Sequence, residues 1–255
     1  MPPAALKISP RNEARIAGAI YVLVIVLGAY AELVGRQGLV IAGSPIATLH
    51  AIAVHQSQYR LGFLAEMLTN VLAIPVTIIF VWRLLRPVNP TLALIALVFD
   101  LTQNTINAVN AWTQFAPLGF LSGSPDVSAL SLSEKAALAR LALHWHDSGF
   151  QIGLTFFGFA LLLEGWLVFR SGYFPRWLGI LYALAGGCYL VSACDYFMAL
   201  RMTVIPYVQL GSFVGEAVMA LWLLLVGLNA AKWRSAEVCL DHETENKPSA
   251  ASQAA

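Results

Sequence analysis

Six stretches of the chain are apolar almost without interruption: residues 15–34, 61–82, 91–115, 148–169, 177–200 and 207–231. Each reaches the roughly 20 residues that a helix needs to cross a hydrocarbon core about 30 Å thick. The apolar positions run on instead of alternating, so the strands of a membrane barrel are not a competing solution. Backbone groups in lipid have no water to bond, and each stretch must satisfy its own as a helix. The pattern predicts an all-α, polytopic integral membrane protein with six transmembrane helices.

The connections carry their own signals. Ser44-Pro45 has the form of a helix N-cap followed by proline in the first turn. Ile46, Leu49 and Ile52 then share a face, which predicts a short interfacial helix. Ser133-Glu134-Lys135 opens a stretch too long for the fourth span alone, and part of it is expected to lie along the membrane surface. Pro75 is expected to bend the second span. The division that follows is an N-terminal segment (1–13), a six-span domain (14–231) and, once the chain turns polar, a disordered tail (232–255).

Against this apolar background, residues 100–114 read DLTQNTINAVNAWTQ. Asp100, Gln103 or Asn104, Asn107, Asn110 and Gln114 recur at helical spacing, so one span carries a polar stripe. Counting along each span from its basic end, Glu32 lies 17 residues from Arg15, Glu66 17 from Arg83, Asp195 19 from Arg176 and Glu216 16 from Lys232. Asn107 and Gln151 reach a similar height. At about 1.5 Å per residue this predicts a single polar layer roughly 24–28 Å above the basic belt, with one member from each span. An ionised side chain at the bilayer centre costs at least about 2.5–3.5 kcal/mol, so such residues normally face a bundle interior or a wet cavity. Glu66 shares a face with Asn70 and Thr77, and Gly211-x-x-x-Gly215 allows close packing beside Glu216. The candidate ligand-binding set is Glu66, Asn70, Asp100, Asn104, Asn107, Gln151, Asp195, Glu216 and Glu32. Carboxylates in one layer repel, which calls for a proton, Arg60, a metal ion or a ligand as compensation. Some members have plainer alternatives. Glu32 can pair with Arg36 at i+4, and the amides can serve as glue between helices. Glu164, near the other end of its span, is expected to be solvated or paired with Arg170.

Composition narrows the rest. The chain has 255 residues, 58% hydrophobic and 11% charged, with a formal net charge of +1. It has no basic footprint for nucleic acid, and its three cysteines form neither a disulfide framework nor a metal motif. Lys and Arg divide ten to five between the two sets of loops, which places both termini in the cytoplasm of a cell whose inner (plasma) membrane holds the protein. A signal-peptidase pattern at Ala29-Tyr30-Ala31 is a rival for the first span, but that run reaches full spanning length. His144, His146 and Asp147 form a weak metal-site candidate without the i, i+4 pair spacing of a helical zinc site. No nucleophile elbow is present, and no cofactor is indicated. Three functions stay open: binding or transport of a small polar or cationic ligand, a membrane-embedded, metal-dependent hydrolase acting on lipid, and a structural or partner-binding subunit.

Several segments resemble a prokaryotic multi-span membrane family known only as a domain of unknown function. They are Arg15-Ile16-Ala17-Gly18-Ala19-Ile20-Tyr21 with Ala31-Glu32-Leu33, Arg60-Leu61-Gly62-Phe63, the run from Phe169 through Arg170-Ser171-Gly172-Tyr173-Phe174-Pro175-Arg176 to Gly179, and Glu216 with Trp222-Leu223-Leu224. The resemblance implies six helices with the first span part of the domain, and brings no activity. The chain also echoes itself: Arg15-x-x-Gly18-x-x-Tyr21…Glu32 parallels Arg176-x-x-Gly179-x-x-Tyr182…Asp195.

Overall fold

A computed structural model describes residues 8–245. It is all-helical, with no strand among the described residues, and six of its helices are long and apolar enough to cross a membrane. Each begins or ends where local chemistry dictates. Helix α1 (Pro10–Ala29) starts at Ser9, whose hydroxyl accepts from the Asn12 amide at 3.3 Å, with proline in the first turn. It widens into π-helical turns over Tyr30–Arg36 and ends in a short 3-10 turn. The short helix expected after Ser44-Pro45 is present as α2 (Pro45–Val54), capped by Ser44 with Leu49 and Ile52 buried inside the protein, while Ile46 stays exposed. Helix α3 (Gln56–Thr77) contains Pro75, which lacks an amide proton and crowds the preceding turn. Three residues on, the helix widens into π-helical turns over Ile78–Leu85. Helix α4 (Pro90–Phe120) is capped by Asn89, and the one-turn α5 (Pro125–Ser128) leads to α6.

Helix α6 (Leu132–Ser171) departs from expectation. Its first turns do not break off along the surface; they belong to one helix of 40 residues, opened by a reciprocal capping box between Ser131 and Glu134. At about 60 Å it is twice the thickness of a hydrocarbon core, and its extra length packs against α2. Gly172, with a positive φ, ends it. Helices α7 (Arg176–Met198) and α8 (Ile205–Leu225) complete the six. The disordered tail is also corrected. Residues 230–245 form α9 (Ala230–Glu245), anchored by Trp233, which is 4% exposed and donates to the Leu84 carbonyl at 3.1 Å. Residues 1–7 and 246–255 of the expected terminal segments lie outside the described residues.

The six long helices pack in chain order, α1 against α3, α3 against α4, α4 against α6, α6 against α7 and α7 against α8. Contact between α8 and α1 then closes them into a ring. Small residues permit the closest crossings. A Cβ on Gly18 would lie 2.3 Å from the Leu224 backbone, and one on Gly35 would lie 2.5 Å from the Gly62 Cα. Polarity is inverted relative to a water-soluble protein. Val26, Val71, Val98, Val109 and Leu184 face outward, whereas Asp100, Asn104, Asn107 and Glu164 are buried. That arrangement is stable with lipid outside and a polar interior within.

The end of the ring that carries both described chain ends is sealed. Phe80, Leu84, Leu85, Leu167, Phe174 and Tyr182 form an apolar plug there. The Tyr173 hydroxyl joins Trp233 on the Leu84 carbonyl, at 2.5 Å. Arg11 and Arg15 donate to the last carbonyls of α8, at Val226 (3.2 Å) and Leu225 (3.1 Å), where positive charge complements a helix C-terminus. Arg83 makes a two-pronged pair with Glu13.

Candidate functional site

All six helices of the ring contribute to one interior cavity of about 380 Å³. It extends along α6 from His146 to Glu164, 18 residues and therefore about 27 Å, nearly the depth of a hydrocarbon core. Its walls mix apolar side chains (Val24, Ile25, Val76, Phe80, Phe150 and Phe157) with five carboxylates: Glu32, Glu66, Asp100, Glu164 and Glu216. No Lys or Arg lines it.

The polar stripe of α4 faces this cavity because α6 makes room for it. A Cβ on Gly153 would lie 2.3 Å from Asn107 Oδ1, and one on Gly149 2.2 Å from Asn110 Oδ1. Asn110 donates to the His146 carbonyl at 2.8 Å, and Asn104 donates to the Asn70 carbonyl of α3 at 2.8 Å. These two amides act as interhelical glue. The Asn70 side chain donates back to the Glu66 carbonyl of its own helix, at 3.1 Å. The remaining members of the stripe are not used up in this way. Asp100 Oδ1, Asn107 Oδ1 and Gln114 Nε2 are buried without a hydrogen-bond partner, a costly condition unless something enters to meet them.

The predicted single layer resolves into two tiers. The tier away from the chain ends contains Glu32, Glu66, Asn107, Gln114 and His146. Just outside the cavity Arg36, only 7% exposed, bonds both Glu32 (2.5 Å) and Asp147 of α6 through its guanidinium. The i+4 pairing of Glu32 and Arg36 is therefore present, and it is extended across the ring. The compensating cation is Arg36, whereas Arg60 is exposed. His146 Nε2 lies 3.8 Å from Glu66 Oε1. Tyr59 reaches the Gln114 carbonyl at 2.5 Å.

The tier nearer the chain ends contains Asp100, Glu164 and Glu216 with Tyr21, Tyr182 and Tyr189. Glu216 is corrected in depth. Helix α8 ends at Leu225 and the chain turns at Gly227, so Lys232 belongs to the next helix and is no guide to height. Glu216 lies nine residues from Leu225, about 14 Å. There it accepts from Tyr21 at 2.7 Å and from Tyr189. The Tyr21 and Tyr182 hydroxyls, equivalent positions of the sequence echo, meet at 3.1 Å. Glu164 is neither solvated nor paired with Arg170, whose guanidinium sits 5.9 Å over the Trp166 ring. It is 1% exposed and beside Asp100, with one oxygen lacking a partner.

The other predicted residues lie elsewhere. Asp195 is outside the cavity and accepts from the Met202 amide at 2.7 Å, organising the turn after α7 where Ala199 and Arg201 adopt positive φ. Gln151 is half-buried with its Oε1 unpartnered and does not line the cavity. The weak metal set is dispersed: His144 is exposed, His146 faces the cavity and Asp147 holds Arg36. Among the described residues no three His, Cys, Asp or Glu side chains are grouped to hold a metal ion.

The three tyrosines and Glu164 were missed at the sequence level. Tyr21 and Tyr182 were visible only as repeat positions, and nothing in sequence set Tyr189 apart from ordinary apolar packing.

Comparison with known proteins gives a family and no activity. No solved structure matches the chain. An uncharacterized protein of Archaeoglobus fulgidus is 37% identical over 76 residues, which is 30% of this chain and 44% of that protein, so the chain spans less than half the length of that curated relative. The family DUF4386, described as a domain of unknown function, matches residues 16–227, nearly the whole six-helix ring. The chain belongs to the DUF4386 family.

Proposed function

We propose that the ring cavity binds a small organic cation with an apolar body, for transport or sensing at the plasma membrane, with both termini cytoplasmic. The observation that carries this reading is the wall chemistry: five carboxylates and no Lys or Arg around a slot otherwise lined by aliphatic and aromatic side chains. Apolar walls with a few placed polar groups are the usual form of a small-molecule site. Carboxylate with aromatic faces is the chemistry that recognises an ammonium group. Asp100 and Glu164 carry the charge recognition, because both line the cavity and no Lys or Arg lines it with them, whereas Glu216 is already held by two tyrosines and Glu32 by Arg36.

The test is thermal stabilisation and calorimetric binding of a series of small alkyl- and arylammonium ions to the purified protein in detergent. Binding that is lost in the Asp100→Asn/Glu164→Gln variant, while the variant's own melting temperature is maintained, supports the site. Equal binding in that variant refutes it.

A further inference from the structure

The proposed site has an imbalance of charge at its sealed end. Asp100 of α4 and Glu164 of α6 are 6% and 1% exposed, line the same cavity and each have one oxygen without a hydrogen-bond partner. The groups that face them from the other elements are Thr77 of α3, Tyr182 of α7 and Glu216 of α8, the last held by Tyr21 of α1 and Tyr189 of α7. None of these is a cation. The one histidine that lines the cavity, His146, stands about 27 Å away along α6. Arg36 is committed to Glu32 and Asp147 near that same end. Two carboxylates buried at the same end of one cavity disfavour each other's charged form when no counter-ion is present, so one positive charge has to accompany the pair.

We propose that this charge is a proton when the cavity is empty, and that a bound organic cation displaces it, which makes the Asp100–Glu164 pair a site of proton-for-cation exchange. The inference rests on the cation-binding reading of the cavity and adds the ion to which binding is coupled. In the exchange the O–H bond of one carboxyl group breaks and its proton passes to water. The carboxylate left behind pairs with the ligand's positive charge, and the net charge of the cavity is unchanged. Tyrosine hydroxyls stand beside the pair in the same cavity: that of Tyr182 meets that of Tyr21 at 3.1 Å, and Tyr21 donates to Glu216 at 2.7 Å. In a protein that carries its ligand across the bilayer, the exchange produces antiport, since the two positive charges occupy the pair alternately.

Benzyltrimethylammonium is a suitable probe, being a permanent cation with an aromatic body and no proton of its own to release. Mixed with the purified full chain in detergent, in weakly buffered solution containing a pH indicator, it is expected to release about one proton per cation bound. Its affinity is expected to rise with pH, by up to about tenfold per unit, because proton loss accompanies binding. Binding without proton release, or with affinity independent of pH, overturns the exchange and leaves the cavity reading standing. A second measurement needs no ligand. The infrared spectrum of the empty protein should contain the carbonyl stretch of a protonated carboxyl group that is lost in Asp100→Asn/Glu164→Gln. Should the double variant fail to fold, Asp100→Asn and Glu164→Gln separately serve, each expected to reduce that band and the proton release. A wild-type spectrum from which none of these substitutions removes such a band overturns the exchange, whether or not the probe binds. A band that behaves as expected together with no binding of any ammonium ion removes the cation site, and the exchange with it.

Discussion

The two ends of the cavity treat negative charge in opposite ways. Near the loops away from the chain ends, Glu32 and Asp147 share one guanidinium, and Arg36 ties α1 to α6 across the ring. Near the sealed end, Asp100 and Glu164 lie side by side with no cation facing them, and each leaves an oxygen unsatisfied. A paired ion is spent on holding helices together. An unpaired one retains its capacity to bind. The contrast separates an acid of the cavity held by a cation, Glu32, from two that are not, Asp100 and Glu164, although all three look alike in composition and hydropathy.

The contrast can be broken most directly at Arg36. Arg36→Met leaves two carboxylates without their cation and should lower unfolding free energy by about 2–3 kcal/mol. The loss is less than for a fully buried pair because the Glu32 and Asp147 side chains are 35% and 34% exposed. Denaturation in detergent checks it, and an unchanged stability would remove the clasp. Next in size is Tyr189→Phe, which deletes one of the two donors to Glu216 and is expected to cost about 1.5–2 kcal/mol, as for a hydrogen bond to a charged group. At the sealed end the signs divide: Glu164→Gln should leave stability within about 1 kcal/mol while weakening ammonium binding by at least about tenfold, or 1.4 kcal/mol. A large loss of stability there would place Glu164 with the structural acids instead. The smallest effect belongs to Asp195→Asn, which preserves an acceptor for the Met202 amide. Stability should move by no more than about 0.5 kcal/mol and ammonium affinity not at all, as calorimetry would report.

Much of this architecture was legible before any coordinates. The six spans, a short helix after Ser44-Pro45, the inward stripe on α4 and the pairing of Glu32 with Arg36 all follow from local pattern and spacing. The errors share a cause. Counting from Lys232 puts Glu216 too high, because a run of apolar residues conceals the helix end at Leu225 that lies between them. Asp195 was placed inside because a carboxylate near a span's end has the same spacing whether it faces a cavity or caps the following turn. Glu164 was set aside because Arg170 stands near it in sequence, yet that guanidinium turns to Trp166. Residues 232–245 looked disordered because their few apolar residues find a partner, the end of α3, only in the folded chain.

Membership of the bilayer was settled by the chain alone, since hydrophobic transfer and backbone satisfaction act on each segment independently of its neighbours. So were the helix starts, where a serine or asparagine ahead of proline meets the orphan amides of its own first turn. The grouping of the acids was a tertiary matter. Closure of α8 onto α1 made a ring with an interior, and the rotation of each helix within that ring determined which carboxylates met a cation, which met tyrosines and which met neither. Rotation is set by packing against the adjacent helices, through contacts such as Gly149 and Gly153 receiving the amides of α4, and no count of residues along a single span contains that information.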